Sequence, residues 1–414
     1  MISLKEGYKN TDVGVIPEDW EVKRLEEISN IIMGQSPNSD SYNDDKIGVP
    51  FFQGNSEFGR INPTVKKWCS EPIKIVEPLD ILISVRAPVG AVNINTYRSC
   101  IGRGLGAIRA NYDTNYKYLF YVMANSRNVL NSSAQGSTFT AINSGDLKNH
   151  KVAIPPLKEQ EKIAEILSTV DCQIDDTEKL IEKCRVLKKG LMQRLLTKGI
   201  GHSEFKKSEV GEIPVGWEVK KLGDIVNSER KITYGIVQPG EYDENGVYLI
   251  KAGDYSNGWA EVDTLFKVSN EIENKYSRSR LKENDILFTI VGSVGNVALV
   301  PEHLEGANLT QQTARISINK NIGDSIYYYY LVQGNLFKMN TNKFLKTGVQ
   351  PSINLSDLEI FKVPVPPVEE QKKIAKILSS VDRNIKEYDN KKQRLEELKK
   401  GLMQQLLTGK IRTI

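Results

Sequence analysis

The chain has 414 residues, 39% of them hydrophobic and 26% charged, and 56 Lys and Arg against 52 Asp and Glu leave a net charge of only +4. That balance excludes a disordered or fibrous chain, and no apolar run approaches the roughly 20 residues of a membrane span. The opening MISLKEGYKNTDVGVIPEDW lacks the apolar core of a signal peptide, so the expected location is the cytoplasm.

In chain order, the first recognisable element is IPEDWEVKRLEEI (16–28). Strand-like runs follow, DILISV (80–85) and AVNIN (91–95), then a helical patch, YKYLFYVMANSRNVL (116–130), all separated by Gly, Pro and Asn turns. PPLKEQEKIAEILSTVD (155–171) starts a helix: its prolines sit where a missing amide proton costs little, and Glu and Gln occupy the first turn. The helix carries Ile163, Val170 and Leu191 on a heptad register, flanked by Ile166, Leu167, Ile174, Leu180, Leu187 and Leu195.

The series then starts again. IPVGWEVKKLGDI (213–225) repeats the opening at a displacement of 197 (Ile16 to Ile213), and PPVEEQKKIAKILSSVD (366–382) repeats the helix start at 211 (Pro155 to Pro366). The heptapeptide LKKGLMQ, at 187–193 and 398–404, keeps the second displacement. Between these ends the copies match loosely: DILISVRAPVGAV faces DILFTIVGSVGNV, and INSGDLKNHKVAIPP faces INLSDLEIFKVPVPP. The second helix carries Ile374, Val381, Tyr388, Leu395 and Leu402 seven apart, with Ile377, Leu378, Ile385, Leu398 and Leu406 beside them. A chain built as an internal repeat follows: a first module at 1–154, a helix at 155–198, a linker at 199–212, a second module at 213–364 and a helix at 365–414. The fold class is α+β, two α/β modules separated by two long helices. Each helix would run on the order of 60 Å, and its narrow apolar seam is best covered by its own repeat in an antiparallel coiled coil with pseudo-two-fold symmetry.

Signatures of chemistry are missing. IGRGLGAI and VGSVGNV lack the spacing and following helix of a dinucleotide loop and are expected to be turns between strands. There is no phosphate-binding GxxxxGK[ST] and no nucleophile elbow. The proline pairs read IPPL and VPPV, without the polar residue and aromatic that an amino-methyltransferase needs to hold and stack its base. Four cysteines without a CxxC pair and three histidines in no zinc-like spacing predict no structural metal. Two variable modules on a repeated frame, without catalytic apparatus, point to a bipartite recognition device. A coiled-coil scaffold whose modules bind proteins or glycans is the alternative of a different class.

The duplicated IPEDWEVKRL and IPVGWEVKKL, the two PP-x-x-EQ helices and their LKKGLMQRLLT and LKKGLMQQLLT tails together resemble the DNA-specificity (S) subunit of type I restriction–modification systems, from about Thr11 to Ile411. The resemblance implies that each module is a target recognition domain reading one half of a split, asymmetric site in double-stranded DNA, and that the helices fix the gap. It implies a non-catalytic subunit without cofactor of its own. Two modification (M) subunits would bring S-adenosylmethionine and methylate adenine, and two restriction (R) subunits would bring ATP- and Mg-dependent cleavage.

Base reading requires amides, hydroxyls, Arg and Lys in loops. The first module offers Gln35, Ser36, Asn38, Gln53, Asn55, Arg60, Arg86, Arg103, Gln135, Ser137 and Thr138, and the second Tyr234, Gln238, Lys251, Asp254, Tyr255, Gln311, Gln312, Lys346 and Gln350. Residues that differ between copies are the better base readers; Arg86 and Arg103 face Val291 and Gln311. Those shared, such as Asn143 and Asn354, suit the frame or phosphate contacts. Gly190 and Gly401 each weaken a helix by about 1 kcal/mol relative to alanine, which predicts a compensating partner. The two LKKGLMQ copies, through Leu187, Gly190, Leu191, Leu398, Gly401 and Leu402, are therefore expected to be equivalent docking or helix-crossing sites.

Overall fold

The repeated frame begins earlier than the sequence motifs suggest, with a β-hairpin in which Tyr8–Thr11 pairs with Gly14–Pro17. Gly14, at φ +106°, permits the tight turn, and the second copy repeats it at Gly211, φ +102°. That second hairpin, Phe205–Ser208 with Gly211–Pro214, occupies the stretch expected to be a linker. The structure is a computed structural model and describes residues 6–134, 141–256 and 258–413. The chain divides into two compact units, 1–178 with 390–414, and 179–389.

In the first unit, strand Glu21–Arg24 pairs antiparallel with Lys151–Ile154, so the start and end of the module are joined just before the long helix. Between them lie two sheets. One is antiparallel, in the order Val92–Ile94, Ile81–Ser84, Leu105–Ala110, Ser29–Met33; the other is mixed, in the order Tyr42–Asn43, Lys67–Cys69, Val49–Phe52, Ser99–Ile101, Ile75–Val76, with 99–101 parallel to 49–52. The expected strands at 81–84 and 92–94 are present; the helical patch divides into Tyr116–Asn125 and Arg127–Ala134 at Ser126. The Asn115 side chain caps the first of these by accepting from the Lys117 and Tyr118 amides, 3.0 Å each. Asn143 caps helix Ser144–Asn149 in the same way and its own amide donates to Asp146, a reciprocal box that gives this shared asparagine a role in the frame. The core joins Ile16, Trp20, Leu25, Ile81, Ile83 and Ile108 to Ile163 and Leu167 of the first long helix and to Leu406 and Leu407 at the end of the second.

The second unit repeats this plan. Glu218–Lys221 pairs with Lys362–Val365. One sheet runs Thr233–Tyr234, Thr313–Ile316, Ile286–Thr289, Val297–Leu299, and the smaller one Phe266–Val268, Val247–Ile250, Asn308–Leu309, with 308–309 parallel to 247–250. Helices Ser325–Gln333 and Asn335–Phe344 cover the core. Arg315 is buried here, 1% exposed, and donates to the carbonyls of Arg278, Arg280 and Lys231, at 2.6, 3.2 and 3.0 Å. Burial, then the neighbouring Arg230, pushes its pKa down to about 10.

The long helices are Leu157–Lys198 and Val368–Leu406. Within the first unit their segments run antiparallel: Lys392 pairs with Glu178 (2.5 Å), Lys399 with Asp171 (2.8 Å) and Arg412 with Glu159 (2.8 Å), so one number rises as the other falls. Within the second unit, Lys188 pairs with Asp382 (2.6 Å) and His202 with Glu370 (2.8 Å), again antiparallel. Ile163, Leu167, Val170, Ile174, Ile374, Leu378 and Val381 are buried as their register requires, whereas Leu180, Leu187, Ile377 and Leu398 are exposed. A straight helix drifts about 20° per heptad. Each helix also contributes to the module cores, the first through Ile163 and Leu167 and through Leu195 and Leu196, the second through Ile374 and Leu378 and through Leu406. The buried stripe therefore follows those cores rather than a strict seven-residue seam.

Candidate functional site

In each module the two sheets meet where three chain segments cross at van der Waals distance. In the first, the Gly34 amide donates to Leu105 O (2.9 Å), Gln35 to Ile101 O (3.1 Å) and Gly102 to Phe52 O (2.8 Å). Such closeness excludes side chains: a Cβ on Gly34 would lie 2.2 Å from Gly102 O, and one on Gly104 2.6 Å from Gln53 O. The glycines of GRGLG therefore form a turn between strands 99–101 and 105–110, packed against two further segments.

The crossing turns its intervening polar residues outward. Ser36 Oγ accepts from the Arg103 amide (3.2 Å) and from Gln53 Nε2 (3.1 Å), and Gln35, Gln53 and Arg103 are exposed around it. Tyr42, Phe51, Glu57 and Lys67 complete this cleft. Four of the expected residues, Gln35, Ser36, Gln53 and Arg103, are thus brought together.

The other first-module residues lie elsewhere. The Asn38 side chain caps the turn Ser39–Ser41, and Asn55 opens the turn Asn55–Glu57. Arg60 is committed to the first long helix: it pairs with Asp171 and, at 2.7 Å, with Asp175, so its guanidinium is occupied within the frame. Arg86 is exposed and its backbone bridges to Ala141. Gln135, Ser137 and Thr138 lie outside the described residues.

The second module has the same crossing. Ile236 donates to Leu309 O (2.7 Å), Thr310 to Ile250 O (3.1 Å) and Gln311 to Ile236 O (3.1 Å), and a Cβ on Gly235 would lie 1.7 Å from Leu309 O. The parallel pairs fix the correspondence: Ile101 beside Phe52 matches Leu309 beside Ile250. One residue beyond Phe52 and Ile250, Gln53 matches Lys251; two residues beyond Ile101 and Leu309, Arg103 matches Gln311. With its amide oriented to satisfy both ends, Gln311 donates to Ile236 O (2.8 Å) and Val237 O (3.2 Å). The Lys251 ammonium lies 4.3 Å from the centre of the Phe266 ring. Tyr234, at 36% exposure, and Gln238 flank this crossing.

Tyr255 departs from the expectation of a surface contact. It is 4% exposed, and its hydroxyl is bonded to Thr289 (2.8 Å) and Thr313 (2.9 Å), a polar link inside the sheet core. Asp254 accepts from the Lys251 amide (2.7 Å) and so closes the turn that displays this lysine. Gln312 lends its carbonyl to Ile290 (2.8 Å) and Val291 (3.3 Å). Lys346 and Gln350 sit on an exposed hairpin closed by reciprocal bonds between Lys346 and Ser352 and tied down by Gly292 to Pro351 O (2.9 Å).

At the helix tails, Gly190 and Gly401 are exposed, and a Cβ at either would meet no described atom within 4 Å. No helix of this chain crosses there among the described residues. Leu187 and Leu398 are 52% and 50% exposed beside them, while Leu191 and Leu402 are half-buried against their modules.

What the heptapeptide contributes inside the chain is its first lysine, which the sequence did not single out. Lys399 reaches Asp171, which also accepts from the Tyr121 hydroxyl (2.7 Å); Lys188 reaches Asp382, which accepts from Tyr330 (2.7 Å). Each lysine also lies over that tyrosine ring, at 5.4 and 5.3 Å. A second duplicated lock joins the module openings to the helix starts: Trp20 donates to Glu159 and Trp217 to Glu370, both at 2.9 Å. The signal for these groups was present, since W, EQ, VD and LKK all recur at the two displacements.

Among the described residues no His, Cys, Asp and Glu group is arranged to hold a metal ion, and no helix is long and apolar enough to cross a membrane. The family model for the type I restriction modification DNA specificity domain matches twice, at residues 17–184 and 214–400. The chain is 31% identical to the type I restriction enzyme MjaVIII specificity subunit of Methanocaldococcus jannaschii over 99% of its own length and 96% of that protein's. It is 44% identical to the putative MjaX specificity subunit of the same organism over 195 residues, 46% of each chain. A crystal structure of the S subunit of a type I restriction–modification system from M. genitalium shares the fold, with a TM-score of 0.62 over 98% of both chains at 16% identity. With the repeated modules, the duplicated locks and both domain matches in agreement, the chain belongs to the type I restriction modification DNA specificity family.

Proposed function

We propose that this chain is the sequence-reading subunit of a type I restriction–modification complex, each module reading one half of a bipartite, asymmetric site in double-stranded DNA. The observation that carries the reading is the duplicated crossing: one backbone arrangement, made twice, displays unlike polar side chains, Ser36, Gln53 and Arg103 in one copy and Lys251 and Gln311 in the other. A device built to read a repeated sequence would display the same groups twice. Two unlike displays on one frame suit two unlike half-sites.

The long helices act as the spacer between half-sites, and the exposed Leu187 with Gly190, and Leu398 with Gly401, offer two equivalent apolar places for two M subunits. Restriction subunits, two per complex, join that assembly. The chain itself is non-catalytic and carries no cofactor; S-adenosylmethionine, ATP and Mg belong to the partners. The test is methylation-sensitive sequencing of DNA from cells carrying the chain with its M partner. Two unlike defined blocks separated by unspecified bases are expected, and a continuous palindrome overturns the reading.

A further inference from the structure

We infer that Arg103 with Gln53, and Lys251 with Gln311, are one specificity site in two settings, in which Arg103 and Lys251 each address the acceptor edge of a guanine in their own half-site. The inference rests on the DNA-reading function proposed above and names the residues that make the half-sites differ.

Backbone equivalence comes first. The position after the parallel strand 49–52 holds Gln53 and its counterpart after 247–250 holds Lys251; two residues beyond 99–101 lies Arg103, and its counterpart beyond 308–309 is Gln311. Between the modules the cation and the amide have therefore changed places. A side chain needed only to hold the frame would keep its place, as the locks at Trp20 and Trp217, or Asp171 and Asp382, do.

Availability comes second. Arg60, Arg109, Arg230, Arg280 and Arg412 are all paired with carboxylates. Among the described residues neither Arg103 nor Lys251 forms an ion pair, and both are exposed. Rigidity comes third: the main chain beneath them is pinned by crossings too tight for a Cβ, by Ser36 under Arg103 and by Asp254 under Lys251. The amide of each pair is likewise held, Gln53 by Ser36 and Gln311 by two carbonyls. A fixed base with a cationic head that no described carboxylate neutralises, Lys251 resting against the Phe266 ring, suits the acceptors O6 and N7 of guanine.

The experiment uses the whole complex with its M partner on a plasmid library randomised over the site. Arg103→Ala is expected to lose about 5- to 150-fold discrimination at one guanine of one half-site, and Lys251→Ala at one guanine of the other, every remaining position keeping its preference. Because both side chains are exposed, each variant is expected to melt with the wild type, which separates contact from folding. Uniformly weaker methylation with a shallower salt dependence makes these phosphate contacts and overturns the inference; so does an unchanged motif. A wild-type motif that is not bipartite overturns the underlying function instead, before either variant is consulted.

Discussion

Asp171 and Asp382 hold corresponding places in the two copies but differ in burial, and that difference sets what their loss costs. The Asp171 side chain is fully buried and accepts from Lys399, Arg60 and Tyr121. Asp382 is one-third exposed and has Lys188 and Tyr330. Burial, and secondarily Asp171, holds the Tyr121 phenol well above the ordinary tyrosine range, so it remains a donor to the carboxylate. Removing a buried partner strands the opposing charges, at about 3 to 5 kcal/mol, whereas a partly exposed pair is worth about 1 kcal/mol or less. Urea denaturation of Asp171→Ala is therefore expected to show a much lower midpoint than that of Asp382→Ala; equal midpoints would remove the argument. Repetition marked both ends of this lock in the sequence but not their pairing. Lys399 and Asp171 are 228 positions apart, and nothing local to either lysine announces a carboxylate. The repetition of LKKGLMQ marked the place but drew attention to its glycine, the residue that stands out by helix propensity.

The glycines themselves belong to the helix as an element. Gly190 and Gly401 face open space, so alanine there adds no clash and recovers the helix propensity that glycine forfeits. Gly190→Ala and Gly401→Ala are each expected to stabilise the isolated chain by up to about 1 kcal/mol, read as a raised melting temperature. Gly190→Leu and Gly401→Leu are expected to leave the isolated chain folded yet reduce the M subunits recovered with it; full stoichiometry in both would leave the tails without a docking role. Helices and their starts were well marked by prolines and periodicity, as were strands Ile81–Ser84 and Val92–Ile94, and the repeat aligns Ile286–Thr289 and Val297–Leu299 with them. The parallel pairings were not, because Ser99–Ile101 and Asn308–Leu309 are too short to show a period, and their partners are chosen by the fold. Since that pairing creates the crossing, sequence could nominate Gln53 and Arg103 but could not join them. Tyr255 looked like an exposed aromatic for the same reason: the threonines that receive it are 34 and 58 positions away.

For the whole molecule, the spacer role predicts that four residues inserted near Asp176, about one turn or 6 Å, lengthen the gap between half-sites by about one or two base pairs while leaving both half-sites intact. Altered half-sites would count against it. A module exchange should change one half-site only, and the structure fixes where to cut. Exchange at 11–154 would divide the hairpin and replace Asp19 and Trp20, which hold Arg412 and Glu159. Exchange of 29–149 leaves those contacts in place.

The first unit is assembled from residues 1–178 and 390–414, and this has a consequence for the order of synthesis. When the ribosome has made the first module and its helix, Ile163 and Leu167 still lack Leu406 and Leu407, Glu159 lacks Arg412, and Asp171 lacks Lys399. Domains generally fold as they emerge, but here the first begun is the last completed, after the second module has been translated. A nascent chain halted at Lys198 should bind a hydrophobic dye and resist protease poorly, and a peptide spanning 390–413 should reverse both. The closing residues thus act as a check on completeness: a chain broken off anywhere in its second half leaves its first module unfinished.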